Sequence, residues 1–150
     1  MHKNIFISYG HGAYQDNVHR VAEDLRGHGF NVFFDADYLK QGDWENIIDE
    51  HIVASKYFLF FVSEKSTSPE GYCLNELCRA GESNSIIVPI LVDEAKVPLS
   101  INKYQRLFFK DCFDGQGGLL EGKYKDFLCQ LVSIVSGNIN LGYADEDVRL

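Results

Sequence analysis

The chain has 150 residues, with 22 acidic against 14 basic side chains and a formal net charge of −8. At 45% hydrophobic and 24% charged, it has the composition of one folded domain around a single core, not of a disordered chain. It has no Lys/Arg-rich run, which argues against a nucleic acid or an anionic membrane surface as partner, although local donors can still hold a phosphate.

The start, MHKNIFISYG, is too short in its apolar stretch for a signal peptide, and nothing approaches a membrane span, so the expected location is cytoplasmic. Cys73, Cys78, Cys112 and Cys129 form no CxxC pair and lack the spacing of a zinc site, so no metal is expected. Three of the four lie in apolar runs, which predicts reduced, buried thiols.

The first element is NIFIS, Asn4 to Ser8, a short β-branched and aromatic strand that runs into the turn YGHG. Tyr14, Val18, Val21, Ala22 and Leu25 then recur at helical spacing, with Gly29 as the breaker. FNVFF, Phe30 to Phe34, reads as a second buried strand, followed by the polar loop DADYLKQGD. The pattern Trp44, Ile47, Ile48, His51, Ile52 predicts a second helix, with Asp43 placed to cap it.

YFLFFVS, Tyr57 to Ser63, is apolar on both faces and reads as a third strand. In SPEGYCLNEL, Ser68 is expected as an N-cap and Pro69 at the first helical position. SIIVPILV is a fourth strand in which Pro89 calls for an edge-ward or bulged spot. QRLFFKD is a weaker fifth strand, and LLEGKYKDFLCQLVSIV is the closing helix. Residues 1–138 thus form the domain, and the acidic stretch over 139–150 is expected as a flexible tail or linker.

Strands that alternate with helices and are apolar on both faces imply a parallel sheet covered on each side. For five strands the leading topology is the flavodoxin-like three-layer sandwich, order 2-1-3-4-5. Ligands bind such sheets at the carboxyl ends of the strands where the order reverses, here between the first and third strands. Ser8, Tyr9, Gly10 and His11 end the first strand, Asp35 and the loop to Trp44 follow the second, and Tyr72 and Glu76 follow the third. Glu76 stands one turn after Tyr72, so both project from one side. Cys73, Leu74, Leu77 and Ala80 make the inner face, which places Glu76 at the flank, looking into the crevice without being buried.

FISYGH, FDADYLKQGDW, the serine ending the third strand and YCLNEL together resemble the Toll/interleukin-1 receptor (TIR) domain family across nearly the whole chain. The resemblance is to its bacterial and catalytic members, which cleave the nicotinamide–ribose bond of NAD+, and it implies an NAD+ nucleosidase with Glu76 as the catalytic glutamate. NAD+ is then the substrate, and no cofactor is needed. Ser8, Tyr9, Gly10, His11, Asp35, Trp44 and Tyr72 are the implied substrate-binding residues. Tyr72 stands where many members have tryptophan, and an aromatic can still stack on nicotinamide. Gly10 stands where animal members often have a basic residue, which leaves the phosphate contact to His11 or to backbone amides. The family also implies self-association through the loop Asp37 to Asp43, and a fused or associated sensor domain.

Each of these residues has a plainer reading. His11 can be a polar loop residue, Trp44 and Tyr9 can serve packing alone, and Asp35 can end its strand by bonding the turn. The competing function is a non-catalytic scaffold signalling by homotypic contact or host mimicry; Glu76 favours the enzyme, whose expected context is an effector domain in bacterial antiphage or cell-death immunity. A phosphoacceptor receiver would need an acidic pair after the first strand and an aspartate at the end of the third, where this chain has Ser8-Tyr9-Gly10 and Ser63. A flavin site would need a Ser/Thr-rich first loop, which SYGHGAY is not.

Overall fold

A computed structural model describes residues 4–12, 14–34, 44–69 and 71–138, with backbone alone at Trp44 and Glu45. Five parallel strands, β1 (Asn4–Ser8), β2 (Asn31–Phe34), β3 (Tyr57–Val62), β4 (Ile86–Leu91) and β5 (Leu107–Phe108), form one sheet in the order 2-1-3-4-5. The helices are α1 (Gln15–Gly27), α2 (Trp44–Ala54), α3 (Cys73–Glu82) and α4 (Glu121–Val135). The expected fold class is therefore the observed one.

The period of two along each strand divides the core in two. Ile5, Ile7 and Tyr9 join Leu59, Phe61 and Ile90 under α1 and α4. Phe6 joins Phe33, Phe58 and Phe60 under α2 and α3. Ser8 follows Phe6 by two residues, so its side chain faces α3, whereas Tyr9 faces α1.

Several local expectations are corrected. Strand β5 has only two residues, because Phe109–Cys112 winds into a 3-10 turn that buries Phe109 and Cys112. Pro89 is fully inside β4, and pairing with β5 starts one residue later, at Ile90. The proline therefore stands beside the stretch of β4 that β5 does not reach. Helix α3 starts at Cys73 with Tyr72 as its cap residue, so neither Ser68 nor Pro69 begins it. The preceding turn is closed by its own hydroxyls: the Thr67 Oγ1 donates to the Ser63 carbonyl at 2.8 Å, and the Ser63 amide donates to the Ser66 Oγ at 2.8 Å. Cys73 and Cys112 are buried, but Cys78 and Cys129 are exposed, because each lies on the outer side of its helix. The Asp43 cap, the loop 35–43 and residues 139–150 lie outside the described residues.

Gly29 does end the first helix, at a φ of 93° that favours glycine, directly after the cap residue His28. A clamp on the far face joins α1 to α4. Arg20 makes two hydrogen bonds of 2.8 Å to Glu121, and the Tyr124 hydroxyl donates to Asp24 at 2.5 Å. Burial, with the Asp24 hydrogen bond, holds the Tyr124 phenol well above its ordinary range, so it stays a donor.

Candidate functional site

The site begins at the carboxyl end of β1. Ser8 is fully buried, and its hydroxyl donates a 2.7 Å hydrogen bond to the Glu76 carboxylate in the first turn of α3. Glu76 is only 5% exposed, so the expected flank position is corrected to a buried one. Its place near the helix N-terminus favours negative charge. The Cys73 thiol donates to the Tyr9 carbonyl at 3.2 Å, fastening the start of α3 to the end of β1. An ionised carboxylate held so far from water is costly unless it is used or well satisfied.

Glu76 lines a groove of about 220 Å³ between α2 and α3, together with Ile48, Ile52, Tyr72 and Asn75, and ending at Asp49 and Arg79. Tyr72 is 55% exposed and stands over this opening. Arg79 bridges to Asp49 across the groove, tying the two helices together. One wall is therefore apolar, and the other carries a carboxylate, an amide and an aromatic ring. That combination suits a flat ring joined to a hydroxylated sugar.

A profile of the TIR domain matches residues 5–120. The chain belongs to the TIR family. No curated protein matches it at the sequence level. Its fold resembles the TIR domain of the Toll-related receptor TRR-2 from Hydra magnipapillata, with a TM-score of 0.60 at 19% identity over 82% of this chain and 96% of that one. It also resembles a 2-deoxyribosyltransferase from Bacillus psychrosaccharolyticus, with a TM-score of 0.55 at 14% identity over 69% and 85%. A third likeness is to the TIR domains of the activated Roq1 resistosome, with a TM-score of 0.53 at 20% identity over 87% and 74%. At these identities the likenesses carry the fold and nothing finer.

Within this TIR domain, the structure brings Ser8, Glu76 and Tyr72 together and leaves Tyr9 and His11 apart from them. Tyr9 is 1% exposed, stacked on His11 at 4.8 Å, with its hydroxyl 2.9 Å from the His19 Nε2. Both rings therefore belong to the α1 side. Gly10 is packed against the turn after β3: a Cβ there would stand 2.3 Å from the Lys65 Cβ and 2.6 Å from the Ser66 amide nitrogen. A side chain has no room at that position, where animal members often have a basic residue. Asp35 and the Trp44 side chain lie outside the described residues.

Sequence reasoning missed Asn75 and Arg79, although Tyr72, Asn75, Glu76 and Arg79 repeat at three- and four-residue spacing as a polar stripe on α3. Ser8, one of the implied substrate-binding residues, is buried and donates its hydroxyl to Glu76. Ser8→Ala removes a hydrogen bond to a buried charged group and is expected to cost about 2 kcal/mol in denaturant unfolding. In a Glu76→Gln background the same change should cost less, because the partner left behind is neutral. Equal costs in both backgrounds would mean that Ser8 and Glu76 are not coupled.

Proposed function

We propose that this TIR domain is an NAD+ nucleosidase in which Glu76 is the catalytic carboxylate. The observation that carries the reading is a buried glutamate held by Ser8 at the strand-order reversal and opening into a groove with an aromatic at its mouth.

In the reaction, the bond between the ribose anomeric carbon and the nicotinamide nitrogen breaks, and its electron pair leaves with nicotinamide as a neutral base. The ribose then carries the positive charge of an oxocarbenium ion. Glu76 accepts hydrogen bonds from ribose hydroxyls and stabilises that cation, most strongly in the transition state. Water adds to the anomeric carbon and gives up one proton, leaving ADP-ribose; capture by the adenine ring instead would give a cyclic product. Because the leaving group needs no proton, a second carboxylate is not required. Ile48 and Ile52 form the apolar wall for the pyridine ring, and Tyr72 stacks on its exposed side.

Activity is proposed to depend on several copies assembling, as an effector in bacterial antiphage or cell-death immunity. The loop 37–43 is the proposed contact, and a fused or associated sensor the proposed trigger. The presence of TIR domains in the activated Roq1 resistosome supports assembly as the active arrangement. Nicotinamide release from NAD+ should be measured over a concentration series of the purified chain. The expected result is release whose specific activity climbs with protein concentration. No release from a sample that light scattering proves to be assembled would overturn the enzyme and leave the scaffold.

A further inference from the structure

A dinucleotide bound at Glu76 brings a pyrophosphate with it, and a chain of net charge −8 repels that group unless a local cation offsets the field. The first-strand position is closed to any side chain, since Gly10 already touches Lys65 and Ser66. We propose that Lys65, in the turn after β3, supplies the missing charge and binds the substrate's pyrophosphate. This rests on the reading of the chain as an NAD+ nucleosidase and adds a residue to that same site.

Three observations carry it. The first is where the side chain lies. From its contact with Gly10 the Lys65 stem runs across the glycine loop, with Cγ and Cε at 4.0 and 3.9 Å from where a Cβ on Gly12 would be. The stem thus packs on Gly10 and Gly12, and because the residue is exposed its ammonium group reaches solvent.

The second is that the ammonium group is uncommitted. Arg20, Arg26, Arg79 and Lys110 each hold a carboxylate. Among the described residues no hydrogen bond or ion pair holds the Lys65 ammonium, and the residue is exposed.

The third is that the anchor is rigid. Ser66 is fully buried, its amide donates to the Ser63 Oγ at 3.1 Å, and its hydroxyl bonds the Ser63 amide and carbonyl. Ser8, which holds Glu76, lies two residues before Gly10, the glycine that Lys65 touches. The ribose lies between its anomeric carbon and its 5′-phosphate, so a carboxylate at one end and an ammonium beyond the other match the two halves of the substrate.

The test uses the purified chain, the Lys65→Gln and Lys65→Arg variants, and two readouts. Nicotinamide release gives KM and kcat for NAD+, and calorimetry gives the affinity for ADP-ribose, which needs no turnover. Lys65→Gln is expected to raise KM and weaken ADP-ribose about tenfold, the size of one charge-assisted contact, with kcat moved less than about twofold. Lys65→Arg should recover most of the loss, and the salt dependence of ADP-ribose binding should be shallower in Lys65→Gln than in the parent. Equal ADP-ribose affinity in parent and Lys65→Gln, or no binding by the parent, overturns the proposal. Binding that depends on Lys65 in a parent that releases no nicotinamide would sink the cleavage reading and keep the lysine's role.

Discussion

Glu76→Gln is expected to lower nicotinamide release by at least about 100-fold while leaving the domain folded and slightly more stable. The two parts have one cause. The glutamine carbonyl still accepts the Ser8 hydroxyl, so the 2.7 Å hydrogen bond between β1 and α3 survives. What is lost is the negative charge, which is the component that stabilises an oxocarbenium ion; removing one such preorganised group elsewhere costs on the order of 100- to 1,000-fold. The charge also carries a desolvation cost at 5% exposure, and an amide of the same shape relieves it. A gain of about 1 kcal/mol, or roughly 3 °C in Tm, is the expected size. Paired nicotinamide assays and thermal melts read both. Release at the parent rate would remove Glu76 from the chemistry. A melting temperature lowered by 5 °C or more would make the carboxylate a structural anchor instead.

The alternation that divides the core was legible from the sequence because it is local. Ile5 and Ile7 face one way and Phe6 the other whatever the rest of the chain does, and a third strand such as YFLFFV, apolar throughout, has to be covered on both faces. Strand order followed from handedness rules that need no side-chain detail. The burial of Glu76 was not legible, since it depends on a serine 68 residues away and on the Cys73 thiol docking on the Tyr9 carbonyl. The start of α3 was misread for a similar reason. Ser68 and Pro69 carry a good local signal for a helix start, but the hydroxyls of Ser63, Ser66 and Thr67 close a separate turn first and delay the helix to Cys73. Lys65 escaped notice because a lone surface lysine has no pattern; only the glycines it crosses mark it out.

Gly10→Ala should do the most damage for the fewest atoms. The added methyl would sit 2.3 Å from the Lys65 Cβ, 2.6 Å from the Ser66 nitrogen and 2.8 Å from the Lys65 carbonyl carbon. Two of these three atoms are backbone, so a rotamer change cannot relieve the overlap. The Ser66 backbone is itself tied down, by its amide's hydrogen bond to Ser63 and by a side chain with no exposure. Either the end of β1 or the turn after β3 must therefore move. The expected cost is about 3 kcal/mol, a fall of roughly 10 °C in Tm. Function should fall further than stability alone accounts for, because Ser8 is two residues back, at the end of β1, and any shift there misplaces the carboxylate it holds. A second substitution identifies the cause. Lys65→Ala keeps the offending Cβ and should rescue nothing, whereas Lys65→Gly removes the closest of the three contacts and should recover part of the loss. If Gly10→Ala melted with the parent, the close approach of the two loops would be wrong, and with it the route by which Lys65 reaches the substrate.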